Sequence, residues 1–181
     1  MNSKTIADTR LGKLLLGIMA RAMESRLRYR FFGPGKILGG AGIGRGQKVL
    51  EIGCGTGFFT LAAAEMIGDQ GILVSMDRLQ PSVDMVSEKV RRSGFQNVRV
   101  VKGDALETRL ENGSFDAVLL FGVIPAPMMP VERLMAEMHR VLKPEGKMAV
   151  WPASWVHQSI LDMGLFRSSP KRNGVLNYVR T

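Results

Sequence analysis

Cysteine is nearly absent from this chain: Cys54 is the only one among 181 residues. That excludes an intramolecular disulfide and a cysteine-rich metal site, counts against chemistry relayed between thiols, and fits a reducing cytoplasm. No metal centre is expected. Long apolar runs are missing as well. The run Leu14–Ala20 is seven residues long, and the uncharged stretch 117–131 is broken by Pro125, Pro127 and Pro130. A membrane-spanning helix needs roughly 18 unbroken apolar residues. Asn2, Ser3 and Lys4 at the start, with Arg21, Glu24 and Arg26 behind the apolar patch and no small-residue cleavage site, lead us to expect no secretory signal. Acids are scarce in one region only: residues 1–48 hold ten Lys or Arg against two acids, whereas 49–181 hold fifteen against fourteen. The formal charge of +9 is therefore almost entirely N-terminal. No internal repeat or low-complexity tract is present, and the length suits one compact domain.

From Gln47 onward, short apolar runs alternate with longer helix-like stretches, the pattern of a sheet with helices on both faces. Strands are expected at 48–52, 71–76, 98–101, 115–121, 147–151, 165–168 and 175–180. Their β-branched, unalternating cores suit burial on both faces. Helices are expected at 58–67, 82–93 and 130–142, closed by Gly68, Gly94 and Pro144. A short helix over 154–163 would end at Gly164. Ser168-Ser169-Pro170 and Asn173-Gly174 mark the turn of a terminal hairpin, so the parallel sheet should finish in an antiparallel strand. Ahead of the sheet, Leu11, Leu14, Leu15, Ile18, Met19, Ala22 and Met23 fall at helical spacing among Arg10, Lys13, Arg21 and Arg28. This basic amphipathic helix leads into a Gly-rich connector over 33–46. The arm, 1–46, and the core, 47–181, are taken as parts of a single domain.

The first strand ends in Glu51-x-Gly53-x-Gly55-x-Gly57 and opens into a helix. Glycine lets such a loop fold tightly and leaves room for a ligand against backbone N–H groups. A dinucleotide fingerprint would place its third glycine at position 58, which is Phe58, so the usual pyrophosphate cradle is not formed. Asp77 ends the second strand, and Gly103-Asp104-Ala105 follows the third.

Val49 to Thr60, Asp77, Gly103-Asp104-Ala105 and the turn Leu142-Lys-Pro-Glu-Gly-Lys-Met148, in that order, resemble class I S-adenosylmethionine-dependent methyltransferases, firmly over about residues 47–152. The resemblance implies an α/β fold: a three-layer, doubly wound, mostly parallel seven-stranded sheet of Rossmann-like methyltransferase type with an antiparallel terminal strand. It implies S-adenosylmethionine as cofactor and S-adenosylhomocysteine as product. The implied cofactor-binding residues are Glu51, Gly53, Cys54, Gly55, Gly57, Asp77, Arg78, Asp104, Ala105 and Phe121. In that family the Asp77 position holds the two ribose hydroxyls, which suits a carboxylate because it accepts two hydrogen bonds. The Asp104 position bonds the adenine amine. Cys54 itself reads as a packing residue within the loop.

Substrate chemistry is expected beyond the carboxyl end of the fourth strand, near 121–127, because ligands of open sheets bind there. Gly122-Val-Ile-Pro125 replaces the Asn/Asp-Pro-Pro-aromatic signature of base-amine methylases, and the histidine of many small-molecule members is missing. No catalytic base is assigned. His139 reads as structural, and a chemical role for His157 is the minority reading. The acceptor expected is a small or lipid-like molecule, such as a quinone precursor or phospholipid. An RNA or protein methyltransferase, and a non-catalytic cofactor-binding module, remain as alternatives. For the arm, a lid, a membrane-surface helix and a patch for an anionic partner all stand, with nucleic acid not favoured. The sequence carries no signal of oligomeric state.

Overall fold

A computed structural model of the chain describes residues 33–123, 130–152 and 154–181. The amphipathic arm up to residue 32 and the segment 124–129 lie outside the described residues. Seven strands form one sheet: β1 Lys48–Ile52, β2 Ile72–Asp77, β3 Val98–Lys102, β4 Phe115–Phe121, β5 Leu142–Trp151, β6 Phe166–Arg172 and β7 Val175–Arg180. The helices are α1 Pro34–Ala41, α2 Thr60–Ile67, α3 Gln80–Ser93, α4 Val131–Val141 and α5 His157–Asp162, the last entered through a 3₁₀ turn at Ser154–Val156.

The strand order is β3-β2-β1-β4-β5-β7-β6. β1 to β5 run parallel, and β7 lies antiparallel to both β5 and β6. The order reverses between β1 and β4, and the carboxyl ends of these two strands therefore flank the crevice where such sheets bind ligands. β1, β2 and β4 are mostly apolar and largely buried because both faces are covered. Val49, Leu73, Ala117, Leu119 and Phe121 pack toward α1 and α2, whereas Leu50, Val74, Val118, Leu120 and Met148 pack toward α4 and α5.

Three sequence expectations need correction. β5 starts at Leu142 rather than 147, so Pro144 lies inside that strand and does not close α4, which is capped by Leu142. The Gly-rich stretch after the arm is not merely a connector, since Pro34–Ala41 is helical and buries Ile37, Leu38, Gly40 and Ala41. Pro34 supplies the fixed φ favoured at a helix start, and Gly42 closes the helix in the left-handed conformation. Gly40 permits contact rather than freedom: a Cβ there would lie 2.4 Å from the Arg172 carbonyl oxygen and 2.9 Å from Val175 Cγ2. The Asn177 amide donates to the Gly40 carbonyl at 3.0 Å, and that of Asn173 to the Lys36 carbonyl at 2.7 Å. The hairpin turn is also shorter than expected. Ser168, Ser169 and Pro170 belong to β6, and Asn173 (φ 48°) with Gly174 (φ 79°) make the two-residue turn, whose positive φ values match strand twist.

Between β3 and β4 the chain crosses over without a helix. Glu137 and Arg140 of α4 hold that crossing. Glu137 Oε1 accepts from the Thr108 N–H at 2.7 Å and from its hydroxyl at 2.6 Å, while Arg140 donates to Glu137 Oε2 at 2.7 Å and to the Leu110 carbonyl at 2.7 Å. Arg140 also donates to Asn112 Oδ1.

Candidate cofactor site at the carboxyl ends of β1, β2 and β3

The loop after β1 turns through three left-handed glycines, Gly53 (φ 72°), Gly55 (φ 54°) and Gly57 (φ 79°). A side chain at Gly53 would be strained and would also meet Val123 Cγ2 at 2.9 Å, so the loop takes its path only as glycine. Backbone bonds tie it to β2: the N–H groups of Gly53 and Cys54 both donate to the Met76 carbonyl, at 2.8 and 3.1 Å. The Cys54 side chain turns inward and packs with Val86 and Val90 of α3. Burial, with the carboxylates of Glu51 and Asp77 nearby, raises its thiol well above the ordinary range, so it is an inert packing thiol.

Asp77, half-buried at the end of β2, organises the site from the other side. Its Oδ2 accepts from the Gly55 N–H at 2.8 Å and its Oδ1 from the Leu79 N–H at 2.9 Å. Each carboxylate oxygen has further acceptor capacity, so a vicinal diol can be received without releasing either backbone group. Arg78 beside it is exposed. The Gly103 N–H donates to the Asp77 carbonyl at 3.0 Å, which draws the third loop against the second. Asp104 is exposed, and its Oδ1 accepts from the Leu106 N–H at 2.9 Å in an Asx turn. Ala105 packs beneath it against the core.

Glu51 is placed differently from the other expected ligand residues. It is 3% exposed, and its Oε2 accepts from the hydroxyls of Thr60 at 2.7 Å and Ser75 at 2.5 Å. Burial raises its pKa, against the two hydroxyl bonds that lower it, and Asp77 adds a further upward push. The carboxyl thus ties β1 to β2 and to the first turn of α2. Neither hydroxyl partner was singled out in the sequence, because both come from other elements, Thr60 from α2 and Ser75 from β2.

At the carboxyl end of β4, Phe121 is buried, its ring edge-to-face with Phe59 at 4.9 Å. Trp151, paired with Phe121 in the sheet register, adds a third ring 6.0 Å from Phe59. The two histidines are engaged elsewhere: His139 Nε2 lies 3.3 Å from the Thr181 carbonyl, and His157 Nδ1 lies 2.8 Å from the Tyr178 hydroxyl.

Residues 49–146 match the methyltransferase domain family, more than half of the chain. The chain belongs to the S-adenosylmethionine-dependent methyltransferase family. The cofactor of that family is S-adenosylmethionine, and the glycine cradle with the two acidic loops fits it. The chain is 31% identical over 121 residues to a demethylmenaquinone methyltransferase from Lactobacillus johnsonii, covering 66% of this chain and 49% of that protein. It is 34% identical over 103 residues to one from Geobacillus stearothermophilus, covering 56% and 43%. The methyltransferase thus spans about half the length of the curated relatives it matches. A crystal structure of a SAM-dependent methyltransferase from Aquifex aeolicus superposes with a TM-score of 0.77 at 21% identity, over 90% of this chain and 96% of that one. The [4+2]-cyclase SpnF superposes with a TM-score of 0.64 at 20% identity, over 76% and 57%. These likenesses show the fold alone, and a cyclase among them underlines that fold does not fix reaction.

Proposed function

We propose that the protein transfers the methyl group of S-adenosylmethionine to a small lipid-like acceptor of the quinone class. The similarity to curated demethylmenaquinone methyltransferases carries this reading. Asp77 receives the ribose hydroxyls through the acceptor capacity left on each carboxylate oxygen, and Asp104 receives the adenine amine, with Arg78 and Ala105 flanking them. The loop through Gly53, Cys54, Gly55 and Gly57 lets the backbone approach the cofactor, and Glu51 keeps that loop in place from below. When bound, the cofactor supplies an activated methyl on a sulfonium. Phe121 closes the floor on the acceptor side, so the chain contributes positioning and exclusion of water. A phenol-type acceptor that arrives ionised needs no protein base. The basic arm is proposed to bring the enzyme to a membrane surface.

The reading is tested by offering the purified chain labelled cofactor with a demethylated naphthoquinol, a phospholipid and an RNA in parallel. Label is expected in the naphthoquinol. Label in RNA instead, or cofactor binding without turnover on any acceptor, would replace the quinone reading by one of its two alternatives.

A further inference from the structure

We propose that the rim built by the β6–β7 turn, the first turn of α1 and the segment after β5 docks on an anionic lipid bilayer. Three observations place its chemistry on one edge. β7 runs antiparallel to β5, so its turn stands at the carboxyl end of β5, and a Cβ at Gly174 would lie 3.7 Å from Trp151 Nε1. The Asn173 amide holds the Lys36 carbonyl at 2.7 Å, which fixes the start of α1 against that turn. Lys36, Lys171 and Arg172 are all exposed there. None of the three has an ion pair among the described residues, unlike Arg167, which pairs with Glu145.

Acids are missing from the elements that build this rim. The sequence has none between Glu24 and Glu51 and none after Asp162. Among the described residues no acid neutralises the three cations. On the same end of the sheet, just past β5, Trp155 is 63% exposed, one of two large hydrophobic side chains exposed among the described residues. An exposed indole on the same end of the sheet as exposed Lys and Arg is the chemistry of a membrane interface, where the ring sits at headgroup level and the cations meet anionic headgroups. A single-stranded nucleic acid would also use the cations and stack a base on the ring, so preference for RNA is the competing outcome of the test. The rim borders the carboxyl ends of β4 and β5, so docking there would turn the acceptor side toward the bilayer. That consequence rests on the proposed quinone reading, whereas lipid binding does not.

The test is sedimentation of the full chain with phosphatidylcholine vesicles, with and without phosphatidylglycerol. The wild-type protein is expected to bind the anionic vesicles more tightly, and less so as salt rises. Each cation near such a surface is worth about fivefold in partitioning, so Lys36→Gln/Lys171→Gln/Arg172→Gln should lose about 100-fold by the same scale. Trp155→Ser should weaken binding to anionic vesicles while leaving its salt dependence intact. Cofactor affinity and thermal unfolding, measured on the same variants, should match the wild type, which separates this rim from the cofactor site. Wild-type partitioning by the triple variant, equal binding to both vesicle types, or preference for RNA over anionic vesicles would overturn the proposal.

Discussion

Replacing Glu51 probes the least exposed charge in the site. Its Oε2 is the acceptor for two hydroxyls, of Thr60 and Ser75, both on residues with no exposure. Glu51→Ala leaves both donors buried without that partner, at about 1–3 kcal/mol each. A total of about 2–6 kcal/mol is a large part of the 5–15 kcal/mol typical of a domain. At roughly 2–4 °C per kcal/mol for a chain of this size, unfolding should shift downward by about 4–24 °C. Glu51→Gln keeps a carbonyl oxygen for the hydroxyls and should stay within about 1 kcal/mol of the wild type.

The pH dependence distinguishes charge from geometry. Because the folded-state pKa of Glu51 is raised above its ordinary value, the folded protein binds a proton that the unfolded chain has already released. Its contribution therefore favours folding at low pH and is lost as pH rises from the ordinary carboxylate range through the raised value. Glu51→Gln should lack that loss, and urea titrations at several pH values would show it. A Glu51→Ala variant as stable as wild type, or a Glu51→Gln variant with the wild-type pH slope in that window, would refute the reasoning.

Two other perturbations test the scaffold around the site. Gly40→Ala should lower stability by about 1–3 kcal/mol, because its Cβ meets the Arg172 carbonyl oxygen at 2.4 Å, a backbone atom that cannot simply rotate away; chemical denaturation reads the loss. Glu137 is held down to about 2, chiefly by its hydrogen bond to the Arg140 guanidinium, so its stabilisation is present above the ordinary carboxylate range and fades as pH falls toward about 2. Glu137→Gln should remove about 1–3 kcal/mol at neutral pH and flatten the acid limb of the stability profile.

The parallel sheet was legible because its strands carry short apolar cores and the helices α2 and α3 stop at Gly68 and Gly94: β1, β4 and β7 begin and end where the sequence places them. The cofactor loops were legible for a similarly local reason, since Gly53 follows β1, Asp77 ends β2 and Asp104 comes two residues after β3. Helix α1 was not. Its glycines read as freedom, whereas Gly40 is there because β6 and β7, over 130 residues later, leave no room for a side chain. Neither was the function of Glu51 apparent, because its partners come from β2 and α2. The crossing between β3 and β4 likewise depends on side chains of α4. In each case the deciding contact is tertiary, and no window of sequence contains it.

Calorimetric titration of S-adenosylmethionine into the wild type and Asp77→Ala tests the cofactor site most directly. Losing hydrogen bonds to a charged group, at about 1.5–3 kcal/mol each, should weaken binding by about 100-fold or more while the variant stays folded. Unchanged affinity in a folded Asp77→Ala protein would contradict the placement of the cofactor at the ends of β1, β2 and β3.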